Sequence, residues 1–293
     1  MSAYKRYSKM EIRRLPGILI KKAFIYFFII AGAVTMLLPF LWMISTSLKS
    51  YSSIFIFNIT DIKWIPSPVY WRNYVDVWKV VPFARFYLNS VFVCLAVTVS
   101  QVMTSAMAAY AFARLKFPGK EKIFFAYLAT MMIPGSVTMI PVFVLMRAFG
   151  WIDTYKALII PAAFSAYGTF MLRQFFMTIP RDLEDAAKMD GCSYWGIFRQ
   201  VILPLSKTAL ATLTVFVALG NWVSFMWPLL VTNSLEKRTL PVGLAYFQEL
   251  YQYAQPEWGL LMAGSLITML PVVIIFLFSQ KFFVEGIKMT GIK

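Results

Sequence analysis

The sequence predicts an all-α protein that crosses a lipid bilayer about six times. Three observations carry that prediction. Hydrophobic residues make up 60% of the 293 positions, mean hydropathy is +0.68, and only 14% of residues are charged; an ordinary soluble domain is about half apolar and about a quarter charged. The apolar residues fall into six runs, most of them long enough to cross ~30 Å of hydrocarbon at 1.5 Å per helical residue. The charged residues lie almost entirely between those runs. A chain of this size cannot turn that much apolar surface away from water, so its solvent is largely lipid.

In chain order the expected spans are 23–45, 88–111, 123–146, 157–172, 205–231 and 259–280. The first follows Lys21 and Lys22 like a signal peptide, but it is too long for one, and Leu41-Trp42-Met43 lacks the small residues of a cleavage site. A long loop then carries Pro66, Pro68 and Pro82, with Trp64, Tyr70, Trp71 and Tyr74 suited to the membrane interface. The fourth run is the shortest and contains Pro161 and Gly168. No low-complexity tract or Gly/Ser linker divides the chain, so 1–293 reads as a single transmembrane domain.

With the N-terminus inside, nineteen of the 28 basic residues fall in cytoplasmic segments, which places both termini in the cytoplasm of a multi-pass inner-membrane protein. The net charge of +15 is thereby explained by topology and implies no nucleic-acid partner. Cys94 and Cys192 have neither zinc nor disulfide spacing, and there is no histidine to serve as a base or metal ligand.

No Asp or Glu falls inside any expected span, whereas proton-coupled carriers rely on such a carboxylate. Uncharged polar residues do occur there: Gln101, Thr104 and Ser105, then Asn221 and Ser224, then Ser265 and Thr268. They suit either interhelical hydrogen bonding or the lining of a pathway, for which Gln101, Asn221, Ser224 and Ser265 are the candidates. The nearest approach to a phosphate-binding loop, Phe117-Pro118-Gly119-Lys120, lacks its first glycine and its hydroxyl residue, so no ATP site is expected on this chain. No nucleophile stands beside a base, which leaves a membrane enzyme little to work with. The rivals are a secondary carrier or channel and a membrane transferase; transport that stops when a separate ATPase is disabled separates them.

Residues 179–204 are polar and follow the fourth run. Two short helices are expected there, broken at Gly191, a residue free to take the left-handed conformation that ends a helix. Asp182 is placed to cap the first, with Asp185 three residues on, and Ser193 to cap the second. Small Ala186 and Ala187 let another backbone approach, and Pro204 marks the entry to the fifth span.

The order Glu184, Asp185, Ala186, Ala187, Asp190, Gly191, Ile202 and Pro204 resembles the EAA loop of permease subunits of bacterial ATP-binding-cassette importers. Runs 108–119, 132–134 with 140–141, 170–176, 239–244 and 280–286 are similar to the carbohydrate-uptake subgroup, in particular the second permease of maltose-type transporters. Trp222-Val223-Ser224 and the tail Thr290-Gly291-Ile292-Lys293 depart from that pattern. The resemblance implies a type I importer permease fold in which the loop is a coupling helix docked on an ATPase. It implies a heterodimer with a second permease, two ATPase subunits that bind ATP and magnesium, and a soluble sugar-binding protein. It further implies that Glu184 meets a basic residue of the ATPase, that Gly243, Tyr246, Gln248 and Tyr251 touch the binding protein or its sugar, and that a tail with Gly286 and Gly291 reaches the ATPases. The substrate it implies is a sugar or oligosaccharide, with the closest likeness to importers of acidic oligosaccharides such as alginate.

Overall fold

The computed structural model describes residues 2–50, 64–250 and 257–290, with side chains at 21–50, 64–247, 249–250 and 257–280. Among these every regular element is helical. Three helices are long and apolar enough to span a membrane: the Lys21–Ser47 part of α1 (Ser2–Ser47), α3 (Phe83–Arg114), and the Trp258–Gln280 part of α13 (Trp258–Thr290). They coincide with the first, second and sixth expected spans.

The other three expected spans are broken, and prolines account for the breaks. Span 123–146 is α4 (Lys120–Ala129), a 3₁₀ turn and α5 (Gly135–Ala148), bent by 100°. Pro134 offers no N–H and holds Ile133 at ψ 117°, outside helical space. Span 157–172 is α6 (Tyr155–Ile159), a 3₁₀ turn opened by Pro161, and α7 (Ala166–Thr178). The new helix starts where Ser165 Oγ accepts from the Gly168 N–H at 3.0 Å. Span 205–231 is α10 (Lys207–Trp222) and α11 (Met226–Val231). Pro228 has no N–H to give the Ser224 carbonyl, so the helical ladder opens at 223–225. Counting each bent pair as one span gives at most five, so the described residues do not form six straight helices.

Two compact units emerge, Met1–Val75 with Glu257–Leu266, and Asp76–Pro256 with Ile267–Lys293. In the first, the end of α1 is closed by Asn73, whose Nδ2 donates to the carbonyls of Ser47 and Lys49 at 2.8 and 2.9 Å, while Ser47 Oγ pairs with the Tyr74 hydroxyl at 2.8 Å. These groups satisfy carbonyls that a helix end leaves free. Lys49 lies over the Trp42 ring, 4.2 Å from its centroid, and burial pulls its ammonium pKa down. The described part of the long loop adds only α2 (Asn73–Val80), which crosses the boundary between the units.

In the second unit α3 is the axis against which α7 and α10 pack, and Val97, Ala109, Leu172, Phe176 and Leu213 are fully buried along it. Trp222 Nε1 donates to the Thr268 carbonyl at 2.9 Å, tying the end of α10 to α13.

Candidate functional site

The segment singled out in the sequence folds as α8 (Asp182–Met189) and α9 (Tyr194–Ile197), the latter running through a π turn, Phe198–Ile202, to Leu205. Gly191 has φ +81° and ends α8 in a Schellman motif: its own N–H donates to the Lys188 carbonyl and the Cys192 N–H to the Ala187 carbonyl, both at 2.9 Å. Ser193 caps α9, its Oγ accepting from the Gly196 N–H at 3.2 Å. Asp182, expected to be the cap of α8, is instead its first helical residue; Arg181 precedes it without a side-chain cap. The Asp182, Glu184 and Asp185 carboxylates still stand in the first turn, where the helix dipole favours them. Ile197, Phe198 and Ile202 are buried to 1% exposure or less, and Pro204 lies just before the 80° bend into α10.

The two faces of α8 have opposite roles. Leu183, Asp185, Ala186, Met189 and Asp190 are exposed, and Met189 is 89% exposed. Glu184 and Ala187 turn inward. Glu184 is 5% exposed, with Oε1 standing 2.8 Å from Nε of Arg114, a charge contact without the alignment of a hydrogen bond. Glu184, expected to meet a basic residue of the ATPase, has a basic partner within this chain, Arg114. The outward carboxylate is Asp185, which accepts from Lys188 Nζ at 2.8 Å; that bond draws the Asp185 pKa down and pushes the lysine's up.

Three of the polar residues proposed for the pathway line two clefts that share Asn221. Gln101 and Asn221 line one cleft of about 400 Å³ with Tyr167 and Phe216. Asn221 and Ser224 line a second, of about 360 Å³, between the α5 break and the α10–α11 break, with Thr138 and Trp227. Asn221 Nδ2 is engaged by the Val217 carbonyl at 2.9 Å, and Trp227 Nε1 by that of Ala157 at 2.9 Å. Ser265 belongs to the first unit, where its hydroxyl donates to the Leu261 carbonyl at 2.8 Å.

At the start of α3 a dense network holds the segment before α12 (Leu240–Leu250). Asn89 Nδ2 donates to the carbonyls of Glu236 and Arg238, both at 2.8 Å, the Ser90 hydroxyl accepts from the Leu240 N–H, and Tyr155 donates to Asn89 Oδ1. Asp153, at φ +61°, accepts from the Asn233 and Ser234 N–H groups at 2.9 and 3.0 Å. Burial alone would raise its pKa, but those donors and the nearby Lys237 hold the carboxyl below the usual range. Of the four residues expected to meet a binding protein, Gly243 packs within this chain. It is buried, and a Cβ there would lie 2.1 Å from the Phe86 ring. Tyr246 is half-buried beneath the Arg238 guanidinium, 4.6 Å from its ring centroid. The Gln248 side chain and Tyr251 lie outside the described residues, as does Gly291. Gly286 falls within α13, so the expected tail is helical as far as Thr290.

Sequence reasoning passed over Arg114, Asn89 and Asp153. Arg114 counted only as one of the basic residues that set topology; its place at the end of an apolar run ahead of the loop was the available signal.

The chain is a helical membrane protein with proline-broken spans and a short surface helix on a buried base, and the comparisons make its class specific. Residues 19–289 match the family of binding-protein-dependent transport system inner membrane components, and the chain belongs to that family. It is 38% identical over 211 residues to an arabinooligosaccharides transport system permease protein, AraQ, of Bacillus subtilis strain 168, covering 72% of this chain and 74% of that one. A probable ABC transporter permease of the same organism, YurM, is 34% identical over 273 residues, 92% of this chain and 87% of its own. The sn-glycerol-3-phosphate transport system permease protein UgpE of Yersinia pestis is 33% identical over 229 residues, 76% and 81%. In fold the chain is similar to a crystal structure of a bacterial ABC transporter involved in the import of the acidic polysaccharide alginate, with TM-score 0.76 and 24% identity over 97% of this chain and 99% of that one. A crystal structure of a bacterial alginate ABC transporter in complex with an alginate pentasaccharide-bound periplasmic protein matches with TM-score 0.62 and 12% identity, over 89% and 94%.

Proposed function

We propose that this chain is one of two membrane subunits of a sugar importer, with ATP hydrolysed on separate ATPase subunits that dock against the exposed face of α8. The observation that carries the reading is the division of α8: an outward stripe of Leu183, Ala186 and Met189 beside Asp185, on a helix whose stop and base are fixed within the chain. Such a stripe, apolar at i, i+3 and i+6, fits a groove rather than water. Both termini and α8 then face the cytoplasm, and the network around Asn89 and Asp153 faces outward, where Tyr246, Gln248 and Tyr251 meet a substrate-loaded binding protein. The clefts lined by Gln101, Asn221 and Ser224 form part of the pathway; they lie at helix breaks, where polar backbone is tolerated at membrane depth because it lines a cavity.

The substrate we infer is an oligosaccharide, and within that class an acidic one such as alginate. Named relatives act on arabino-oligosaccharides and on glycerol phosphate, and the likeness in fold is to an alginate importer. The test is uptake into proteoliposomes holding this chain, its partner permease, the ATPases and the binding protein, with calorimetry of the binding protein against alginate, arabinan and glycerol phosphate ligands. Uptake that requires ATP and ceases when Leu183→Asp or Asp185→Lys strips off the ATPases supports the reading. Uptake that survives without an ATPase refutes it.

A further inference from the structure

Arg114 joins three helices through one guanidinium. It is the last residue of α3, and its side chain is 4% exposed. One NH₂ group donates to the Ile179 carbonyl at 2.6 Å and to that of Phe176, closing the C-terminal end of α7, while Nε faces the Glu184 carboxylate in the first turn of α8. The Glu184 side chain is 7% exposed, so the pair is almost dry. One helical turn back along α3, Tyr110 packs on Phe198 of the π turn with ring centroids 5.2 Å apart, and its buried hydroxyl has no hydrogen-bond partner among the described residues. Tyr110, Arg114 and Glu184 together line a cleft of about 510 Å³ rimmed by Lys116, Arg181 and Lys188.

We infer that Arg114 is the positioning residue that makes α8 one body with the ends of α3 and α7, so that a displacement of α8 is carried into the spans through the Arg114–Glu184 contact. This rests on the reading of α8 as the docking helix. The physical grounds are the fork and the burial. A guanidinium presents several donors in a fixed plane, so the carbonyl bonds that orient it on α7 also fix where it meets Glu184. With the two side chains only 4% and 7% exposed, neither charge can exchange its partner for solvent at low cost, which keeps the joint closed under load. Among the described residues the outer face of α8 has no such tie: Asp185 and Lys188 are exposed and bonded to each other along the helix.

The test uses the assembled importer with Ser224→Cys as a reporter, in a background carrying Cys94→Ala and Cys192→Ser. Maleimide labelling is compared between nucleotide-free and vanadate-trapped states, beside co-purification of the ATPases. The tie predicts that labelling in the parent changes at least fivefold on trapping. It also predicts that Glu184→Gln and Arg114→Lys retain the ATPases but lose that change. The charge swap Arg114→Glu with Glu184→Arg does not restore it, because a carboxylate would then face the carbonyls of Phe176 and Ile179. If the variants reduce the amount of intact complex while surviving complexes keep the full change, the contact is merely structural and the inference falls. Full restoration by the swap overturns the three-way joint, and a parent with equal labelling in both states removes the motion it would carry. Separately, ATPases that stay bound to an Asp185→Lys variant overturn the docking reading itself and leave the labelling result to be judged alone.

Discussion

Replacing Gly191 isolates the cost of the turn that ends α8. Its φ of +81° lies in the left-handed region, yet a Cβ built there meets no atom within 4 Å. Any effect of substitution therefore comes from the backbone and not from a clash. An L-residue in that region pays roughly 1–2 kcal/mol, Asn less than Ala, and a β-branched residue the most. The strain falls on the two Schellman bonds, to Lys188 and Ala187, that set where α8 stops and α9 begins. A penalty of about 1–2 kcal/mol shifts a conformational equilibrium by a factor of about 5–30. Gly191→Asn should remain close to wild type, Gly191→Ala should hold visibly less ATPase, and Gly191→Val should misdirect α8 and lose it. The assay is co-purification of the ATPases from detergent-solubilised membranes, with uptake measured on the same preparations. Equal retention by the Asn, Ala and Val variants would refute the reasoning, since it would show that the left-handed residue is not needed to place the helix.

Gly243→Ala should overpack α12 against α3, at a cost of about 1–3 kcal/mol; lower yield and melting temperature are expected, and Phe86→Leu in the same chain should recover part of the loss. Asp153→Asn should lower the melting temperature by a nearly constant amount above about pH 4. Because the Asp153 pKa is depressed in the folded protein, the stability it supplies is present above the unfolded value and lost as pH falls through the folded one, so the two melting curves should converge in acid. Deleting Met289 to Lys293 should lower ATP hydrolysis by the assembled importer without blocking assembly, measured as phosphate release per complex; unchanged hydrolysis would leave the tail an anchor. Asn89→Leu should take one donor from each of the Glu236 and Arg238 carbonyls, leaving Glu236 only the longer bond from Arg85 Nε, and weaken crosslinking from Tyr246 to the binding protein.

Much of this molecule was legible in the sequence where the governing interactions are short in range. The apolar runs that became α1, α3 and α13 depend on composition alone, the stop at Gly191 on the conformational freedom of a single residue, and the cap at Ser193 on an N–H three positions away. The family was legible for the same reason, because its loop keeps a fixed order over about twenty residues. Other features depend on what stands across the fold. A proline frees a carbonyl, but whether the helix bends through the gap or breaks depends on its neighbours, and spans 123–146, 157–172 and 205–231 each broke. Periodicity places Glu184 on α8 but does not say which face turns inward; that was decided by Arg114, 70 positions earlier in the chain. The sequence around Gly243 does not show that Phe86 stands against it. Sequence determined the three long apolar helices, the stop at Gly191 and the cap at Ser193, because those follow from local backbone and solvent preferences. Only the tertiary structure decided which side of each helix is inside, because a buried charge or a missing Cβ takes its meaning from a partner that the local sequence does not contain.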